Sequence, residues 1–205
     1  MKKMNLPNKL TISRLIMIPV FVFFMLFEII YPWNYIIAVI IFALASLTDV
    51  ADGYLARKNN QVTDFGKFLD PIADKLLVFS ALISMVFVFT KESMTMINDT
   101  YGDVFNIFLF IATVIVLFRE LLVTSLRLVV VSSEEKIVIP ANRLGKTKTG
   151  TQDLFIIYAI LFRVFLPLDI YYIIGYVLLS FMVVFTVLSG YSYVKAYSKY
   201  IDPNK

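Results

Sequence analysis

Four aspartates carry the densest chemistry in this chain. Asp49 and Asp52 are three residues apart, and Asp70 and Asp74 are four apart. On a helix each pair shares a face, one turn apart. The chain contains neither histidine nor cysteine. Disulfides and thiolate chemistry are therefore excluded, and any general base or metal ligand must be a carboxylate, lysine, tyrosine, hydroxyl or backbone group. The connection between the pairs contains Asn59, Asn60, Gln61 and Gly66, so the two helices are expected to form an antiparallel hairpin with the carboxylates at one depth. Bare carboxylates crowded together raise one another's pKa, and burial raises it further. Divalent cations relieve this. An all-oxygen donor set suits Mg²⁺, Mn²⁺ or Ca²⁺, and Mg²⁺ takes one or two carboxylates together with substrate phosphates. Four carboxylates can hold two ions with positions open, an arrangement suited to phosphoryl transfer. The plainer reading makes Asp49 and Asp52 a helix cap and Asp70 and Asp74 a solvated face. Two pairs flanking one apolar hairpin argue against it.

The residues around the aspartates fit an anionic ligand. Gly53 and Ala56 are small and share the side of the helix that carries Asp49 and Asp52, which suits either a flat ligand or close helix packing. Arg57 lies one turn beyond Gly53, where it can reach a phosphate or simply flank a membrane helix. Thr63 offers a hydroxyl in the connection, for the ligand or for a turn. Gly66 stands four residues before Asp70, at a natural helix entry.

These groups have to be positioned by very apolar elements. Of 205 residues 60% are hydrophobic and 17% charged, against about 45–50% and about 25% in soluble domains. The excess falls into blocks near the ~20 residues a helix needs to cross a bilayer. The expected fold is an all-α integral membrane protein with a single domain, 1–205. Six transmembrane helices are expected at Leu10–Ile30, Trp33–Leu55, Phe68–Thr90, Val104–Val131, Asp153–Leu166 (short for a span, with an alternative start near Lys148) and Tyr171–Tyr193. The start, "MKKMNLPNKLTIS", is basic with interleaved apolar residues. It suits a short interfacial segment on anionic headgroups or a disordered basic start. It lacks a small-residue cleavage site, so a removed signal peptide is not expected. Lys and Arg concentrate at both termini and in the even-numbered connections. By the positive-inside rule these face the cytoplasm, and the aspartates lie at that end.

The fourth span carries Arg119, Glu120 and Arg127, and the connection after it carries Arg143, Lys146 and Lys148. An arginine inside an apolar helix is a functional candidate; the alternative is a structural pair with Glu120 or another acid. Likewise the connection's cations either flank the membrane or bind an anion. Together they suit an acceptor bearing a phosphate more than a zwitterion.

The pattern Asp49-x-x-Asp52-Gly53-x-x-Ala56-Arg57, eight residues, then Gly66-x-x-x-Asp70-x-x-x-Asp74 resembles the signature of the CDP-alcohol phosphotransferase family at every fixed position. The resemblance implies an enzyme that displaces CMP from a CDP-linked lipid or alcohol with a second alcohol. It implies two divalent cations, Mg²⁺ or Mn²⁺, held by Asp49, Asp52, Asp70 and Asp74, with Asp74 also the general base. By the same resemblance Gly53, Ala56, Arg57, Thr63 and Gly66 shape the CDP site. "NLPNKLTISR", "FRELLV" with the later "LR", and "LGKTKTGTQ" are similar to the branch that forms phosphatidylglycerophosphate. That similarity implies CDP-diacylglycerol and sn-glycerol 3-phosphate as substrates. It sets Asn8, Thr11 and Arg14 at the nucleotide end, and Arg119, Arg127, Arg143, Lys146, Lys148, Thr149 and Gln152 around glycerol phosphate. It also implies a homodimer in the cell membrane; nucleic acid is not an expected partner. The alternatives are a sister enzyme with another acceptor (inositol phosphate, serine or phosphatidylglycerol) and, in a different class, a divalent metal transporter.

Overall fold

Asn5 stands before Leu6-Pro7, and its side chain accepts a hydrogen bond from the Asn8 N–H at 3.3 Å. A polar N-cap with proline in the first turn starts a helix. Helix α1 (Leu6–Leu26) begins there and ends at extended Phe27. In the computed structural model, residues 5–58, 63–95, 100–132 and 143–198 are described, with side chains described except at 50–58, 64, 67, 93–95 and 129–132. The other helices are α2 (Trp33–Lys58), α3 (Asp64–Thr95), α4 (Thr100–Ser132), α5 (Arg143–Phe165) and α6 (Leu168–Tyr197). Every regular element among the described residues is α-helical.

Two expectations shift. The basic start forms no separate interfacial segment from Leu6 onward: these residues are the first turns of α1, because the cap and Pro7 nucleate the helix there. The first span accordingly runs Leu6–Leu26 rather than Leu10–Ile30. The fifth element begins at Arg143, ten residues before the expected Asp153, so its first turns are the polar "RLGKTKTGTQ".

The helices α1, α3, α4 and α6 each contain a stretch long and apolar enough to cross a membrane, while the apolar part of α2, Trp33–Asp49, is shorter. Burial follows an inside-out logic. Phe23, Ile40, Phe87, Phe110, Val114, Leu121 and Phe181 are exposed, whereas Thr11, Arg14, Gln152, Thr186 and Ser189 are buried. Water would penalise that surface; lipid tails would not, and polar groups in a bilayer turn toward the bundle interior. The chain is a multi-pass membrane protein.

A third helix packs against the expected α2–α3 hairpin. Helix α1 lies against both α2 and α3, while α2 and α3 touch each other only sparsely. The cause is the buried stripe Asn8, Thr11, Arg14, Ile18, Phe21 and Met25 on α1, spaced near the 3.6-residue period. Its polar half meets the acidic ends of α2 and α3, and its apolar half packs in the core, with Phe21 and Phe42 ring centroids 5.9 Å apart. Helix α3 continues onto α4, α4 packs on α6, and α6 on α5. Helices α4 and α6 approach closely at Gly175, where a Cβ would stand 2.9 Å from the Phe105 ring.

Candidate active site

The acidic and basic candidates meet at the end of the bundle where α1, α3 and α5 begin and α2, α4 and α6 finish. A cavity of about 380 Å³ opens there. Asp49 of α2 and Asp70 and Asp74 of α3 line one part; Lys75, Arg119, Arg127, Lys146 and Lys148 line the rest, with Glu120, Thr124, Thr149 and Tyr193. Helical spacing explains the α3 contribution, since Asp70 and Asp74 present one face. Pro71 directly follows Asp70 and removes one helical N–H at this level.

Helix α1 supplies the back wall of the acidic part. Arg14 is fully buried and donates from Nη1 to Asp49 Oδ1 at 2.7 Å, and from Nε to Thr48 Oγ1 at 3.4 Å. The Thr11 hydroxyl donates to Asp70 Oδ1 at 2.6 Å. One oxygen of each carboxylate is thus held from behind, in the way outer-sphere partners orient metal ligands. Thr63 precedes α3 and caps it: its Oγ1 accepts the Gly66 N–H at 3.1 Å. The same hydroxyl donates to Asn8 Oδ1 at 2.9 Å. A Cβ at Gly66 would stand 3.1 Å from Asn8 Oδ1 and 3.3 Å from Thr63 Oγ1, so glycine lets α1 approach the start of α3. Asn8, Thr11, Arg14, Thr63 and Gly66 therefore form a brace behind the aspartates, and none of the five is among the residues lining the cavity.

The donor set suits a hard divalent cation, being carboxylate oxygens alone. Among the described residues no three acidic side chains come together closely enough to hold an ion unaided. Asp52, the fourth candidate ligand, has its side chain outside the described residues, as do Ala56 and Arg57 and the site candidate Gly53.

On the basic part Glu120 is the hub. It is buried, and its Oε1 accepts from Arg119 Nη1 at 2.7 Å and from Lys148 Nζ. Arg119 thus makes the pair with Glu120 that its structural reading calls for, and it also lines the cavity. Arg119 Nη2 also donates to Ser189 Oγ at 2.6 Å. Lys75 Nζ donates to Thr124 Oγ1, whose hydroxyl donates to the Glu120 carbonyl at 2.7 Å. Two predicted pocket residues stand apart. Arg143 is exposed at the first position of α5 and Gln152 is fully buried; neither lines the cavity. Thr149 does, while its hydroxyl donates to the Lys146 carbonyl at 2.9 Å.

Sequence reasoning missed Lys75, Thr124, Ser189 and Tyr193. Lys75 could have been found, since it follows Asp74 and is a cation inside an apolar run. Ser189 and Tyr193 carry no such signal in the apolar α6.

A larger cavity of about 570 Å³ lies at the opposite end, among Glu28, Tyr31, Tyr35, Lys91, Glu92 and Arg163. Its charges are matched internally. Arg163 pairs with Glu92 and lies 4.4 Å from the Phe89 ring centroid, and the Tyr35 hydroxyl donates to Glu92 Oε1 at 2.6 Å. It holds neither an aspartate pair nor an excess of cations.

Comparison with known proteins agrees with the geometry. Residues 4–188 match the CDP-alcohol phosphatidyltransferase family. A Bacillus subtilis protein named CDP-diacylglycerol–glycerol-3-phosphate 3-phosphatidyltransferase is 38% identical over 92% of this chain and 93% of its own length. A Rickettsia bellii protein of the same name is 39% identical over 96% and 97%. A Mycobacterium tuberculosis protein named probable phosphatidylglycerophosphate synthase is 38% identical over 93% of this chain and 80% of its own. With the family match spanning nearly the whole chain, and an acidic and a basic wall meeting in one cavity, this protein belongs to the CDP-alcohol phosphatidyltransferases.

Proposed function

We propose that this enzyme transfers the phosphatidyl group from CDP-diacylglycerol to sn-glycerol 3-phosphate, giving phosphatidylglycerophosphate and CMP. The observation that carries the reading is the single cavity with Asp49, Asp70 and Asp74 on one wall and Lys75, Arg119, Arg127, Lys146 and Lys148 on the other. The names of the relatives agree with it.

The acidic wall serves the nucleotide-lipid end. Asp49, Asp52, Asp70 and Asp74 would hold two Mg²⁺ or Mn²⁺ ions. When bound, these ions neutralise the pyrophosphate and stabilise charge on the attacking and leaving oxygens. Arg14 and Thr11 keep Asp49 and Asp70 in fixed orientation. The basic wall serves the acceptor: Arg119 and Lys148 are held by Glu120, and Lys75, Arg127 and Lys146 add charge for its phosphate. Asp74 takes the proton from the acceptor's primary hydroxyl. That oxygen forms a bond to the β-phosphorus, which carries the diacylglycerol. The β-phosphorus bond to the bridging oxygen breaks, and CMP leaves with that electron pair. Arg57 belongs by resemblance to the CDP site, where it would balance the leaving charge. Positioning and electrostatics supply most of the catalysis in such transfers.

The same reading has residues 1–205 acting as one domain in the cell membrane, with six spans and a homodimeric assembly. Helices α2 and α5, with 26 and 23 residues, reach about 39 and 35 Å at the helical rise; their apolar parts are shorter than a hydrocarbon core of about 30 Å, so in this reading their polar ends line the site at the membrane surface. The test is CMP release from CDP-diacylglycerol by the purified protein, offered glycerol 3-phosphate, serine, inositol phosphate and phosphatidylglycerol in turn. Release is expected with glycerol 3-phosphate alone, and only with divalent cation present. Release with a different acceptor alone would reassign the substrate. Full activity in excess EDTA would remove the metals.

A further inference from the structure

Arg119 is held more firmly than a mere cavity-lining cation requires. It leaves α4 toward α6, and three residues there receive it. Ser189 Oγ accepts from Nη2 at 2.6 Å. The Tyr193 ring lies under the guanidinium, its centroid 5.5 Å from Cζ. Gly190 gives the stem room: a Cβ at that position would stand 3.1 Å from Arg119 Cγ. Glu120 fixes the other terminal nitrogen at 2.7 Å. Ser189, Gly190 and Tyr193 are all buried.

We propose that Ser189, Gly190 and Tyr193 of α6, with Glu120, form a saddle that positions the Arg119 guanidinium to receive the acceptor's phosphate. The inference rests on the assignment of the basic wall to a phosphate-bearing acceptor and deepens it. A guanidinium carries five N–H donors in a rigid fork. Two of its nitrogens are occupied, by Glu120 and by Ser189. The plane of the fork is thereby set before the acceptor arrives, and less rotamer entropy is lost on binding. These α6 residues are positioning residues and touch no reacting atom. An apolar-looking helix outside the aspartate motif thus has a share in choosing the acceptor.

The experiment measures CMP release at varied glycerol 3-phosphate and, separately, varied CDP-diacylglycerol, with thermal stability followed on the same samples. Ser189→Ala should raise the glycerol 3-phosphate KM about two- to tenfold, the worth of one hydrogen bond, and leave the CDP-diacylglycerol KM unchanged. Ser189→Thr, which keeps the hydroxyl, should restore most of the loss. Gly190→Ala should raise the same KM. In an Arg119→Ala background, where no Cγ remains to collide, Gly190→Ala should have no further effect. Equal rises in both KM values, a Gly190→Ala effect that persists without Arg119, or unchanged acceptor KM in Ser189→Ala and Gly190→Ala would each overturn the saddle. Wild-type protein that releases no CMP with glycerol 3-phosphate would instead overturn the acceptor assignment on which it rests.

Discussion

A carboxylate near the bilayer core is costly, so each aspartate of the site must be compensated by something. For Asp49 and Asp70 one oxygen is accounted for: Arg14 and Thr11 hold it from behind. Asp74 reaches the cavity beside Lys75 and is the acid assigned to proton transfer. The division predicts different failures. Asp74→Asn should lower turnover about 10²- to 10⁴-fold, the usual worth of a general base, while CDP-diacylglycerol still binds. Asp70→Asn should lose binding as well, because that carboxylate is assigned to the ions that hold the pyrophosphate. Nucleotide-lipid binding and turnover measured on both variants check this, and near-normal turnover in Asp74→Asn would displace it as the base. Lys75, next to Asp74 on α3, turns its charge toward the basic part of the cavity, where it reaches Thr124. Lys75→Ala should raise the KM for glycerol 3-phosphate by roughly tenfold, the lower end for a charge-assisted contact, with little change in that for CDP-diacylglycerol.

At the level of elements, the site depends on where α3 starts. Thr63 ends the preceding connection, caps α3 through Gly66, and bonds Asn8 of α1. Losing an N-cap hydroxyl costs about 0.5–2 kcal/mol. Thr63→Ala should therefore lower the thermal midpoint in detergent and also reduce turnover, since Asp70 and Asp74 sit on the helix it anchors. Thr63→Ser should restore both, and an unchanged midpoint in Thr63→Ala would show that the cap carries no weight. Much of this region was legible in the sequence: paired aspartates at helical spacing, an apolar chain around them, and cations inside or just after an apolar helix. The position of α1 was not. Alternating polar and apolar residues reveal which face of α1 is buried, but nothing in an apolar stripe says which two helices it will meet. The expected α2–α3 hairpin is braced by a third helix, whose Arg14 and Thr11 reach Asp49 and Asp70. Ser189 and Gly190 were hidden for a related reason: they are small residues in an apolar helix, 70 or more positions from their partner Arg119.

On the scale of the whole molecule, charged side chains gather at both ends of the bundle, and the two ends differ in kind. At the far end Arg163, Glu92 and Tyr35 satisfy one another across α2, α3 and α5. A cluster matched in this way is expected to serve stability rather than binding. Arg163→Ala should destabilise the protein by about 1.5–3 kcal/mol, because the partly buried Glu92 loses its charge-assisted partner. Both KM values of the surviving fraction should stay at wild type, and a selective rise in the acceptor KM would move the functional site to the wrong end. The two ends should also face different compartments. The chain has no cysteine, so single cysteines report exposure without background. Lys91 and Lys195 are both exposed. Lys91 closes the apolar run of α3 beside the far cavity, and Lys195 lies in the last turn of α6, at the end that carries the aspartates. Positive charge gathers at that second end, which the positive-inside rule assigns to the cytoplasm. An impermeant maleimide added to intact cells should label Lys91→Cys and spare Lys195→Cys until the cells are opened. The reverse pattern would turn the aspartates outward, away from a soluble cytoplasmic phosphate ester such as the proposed acceptor. Equal labelling of both from outside would mean that the two positions do not lie on opposite sides of the membrane, and the six-span arrangement would fall with the orientation.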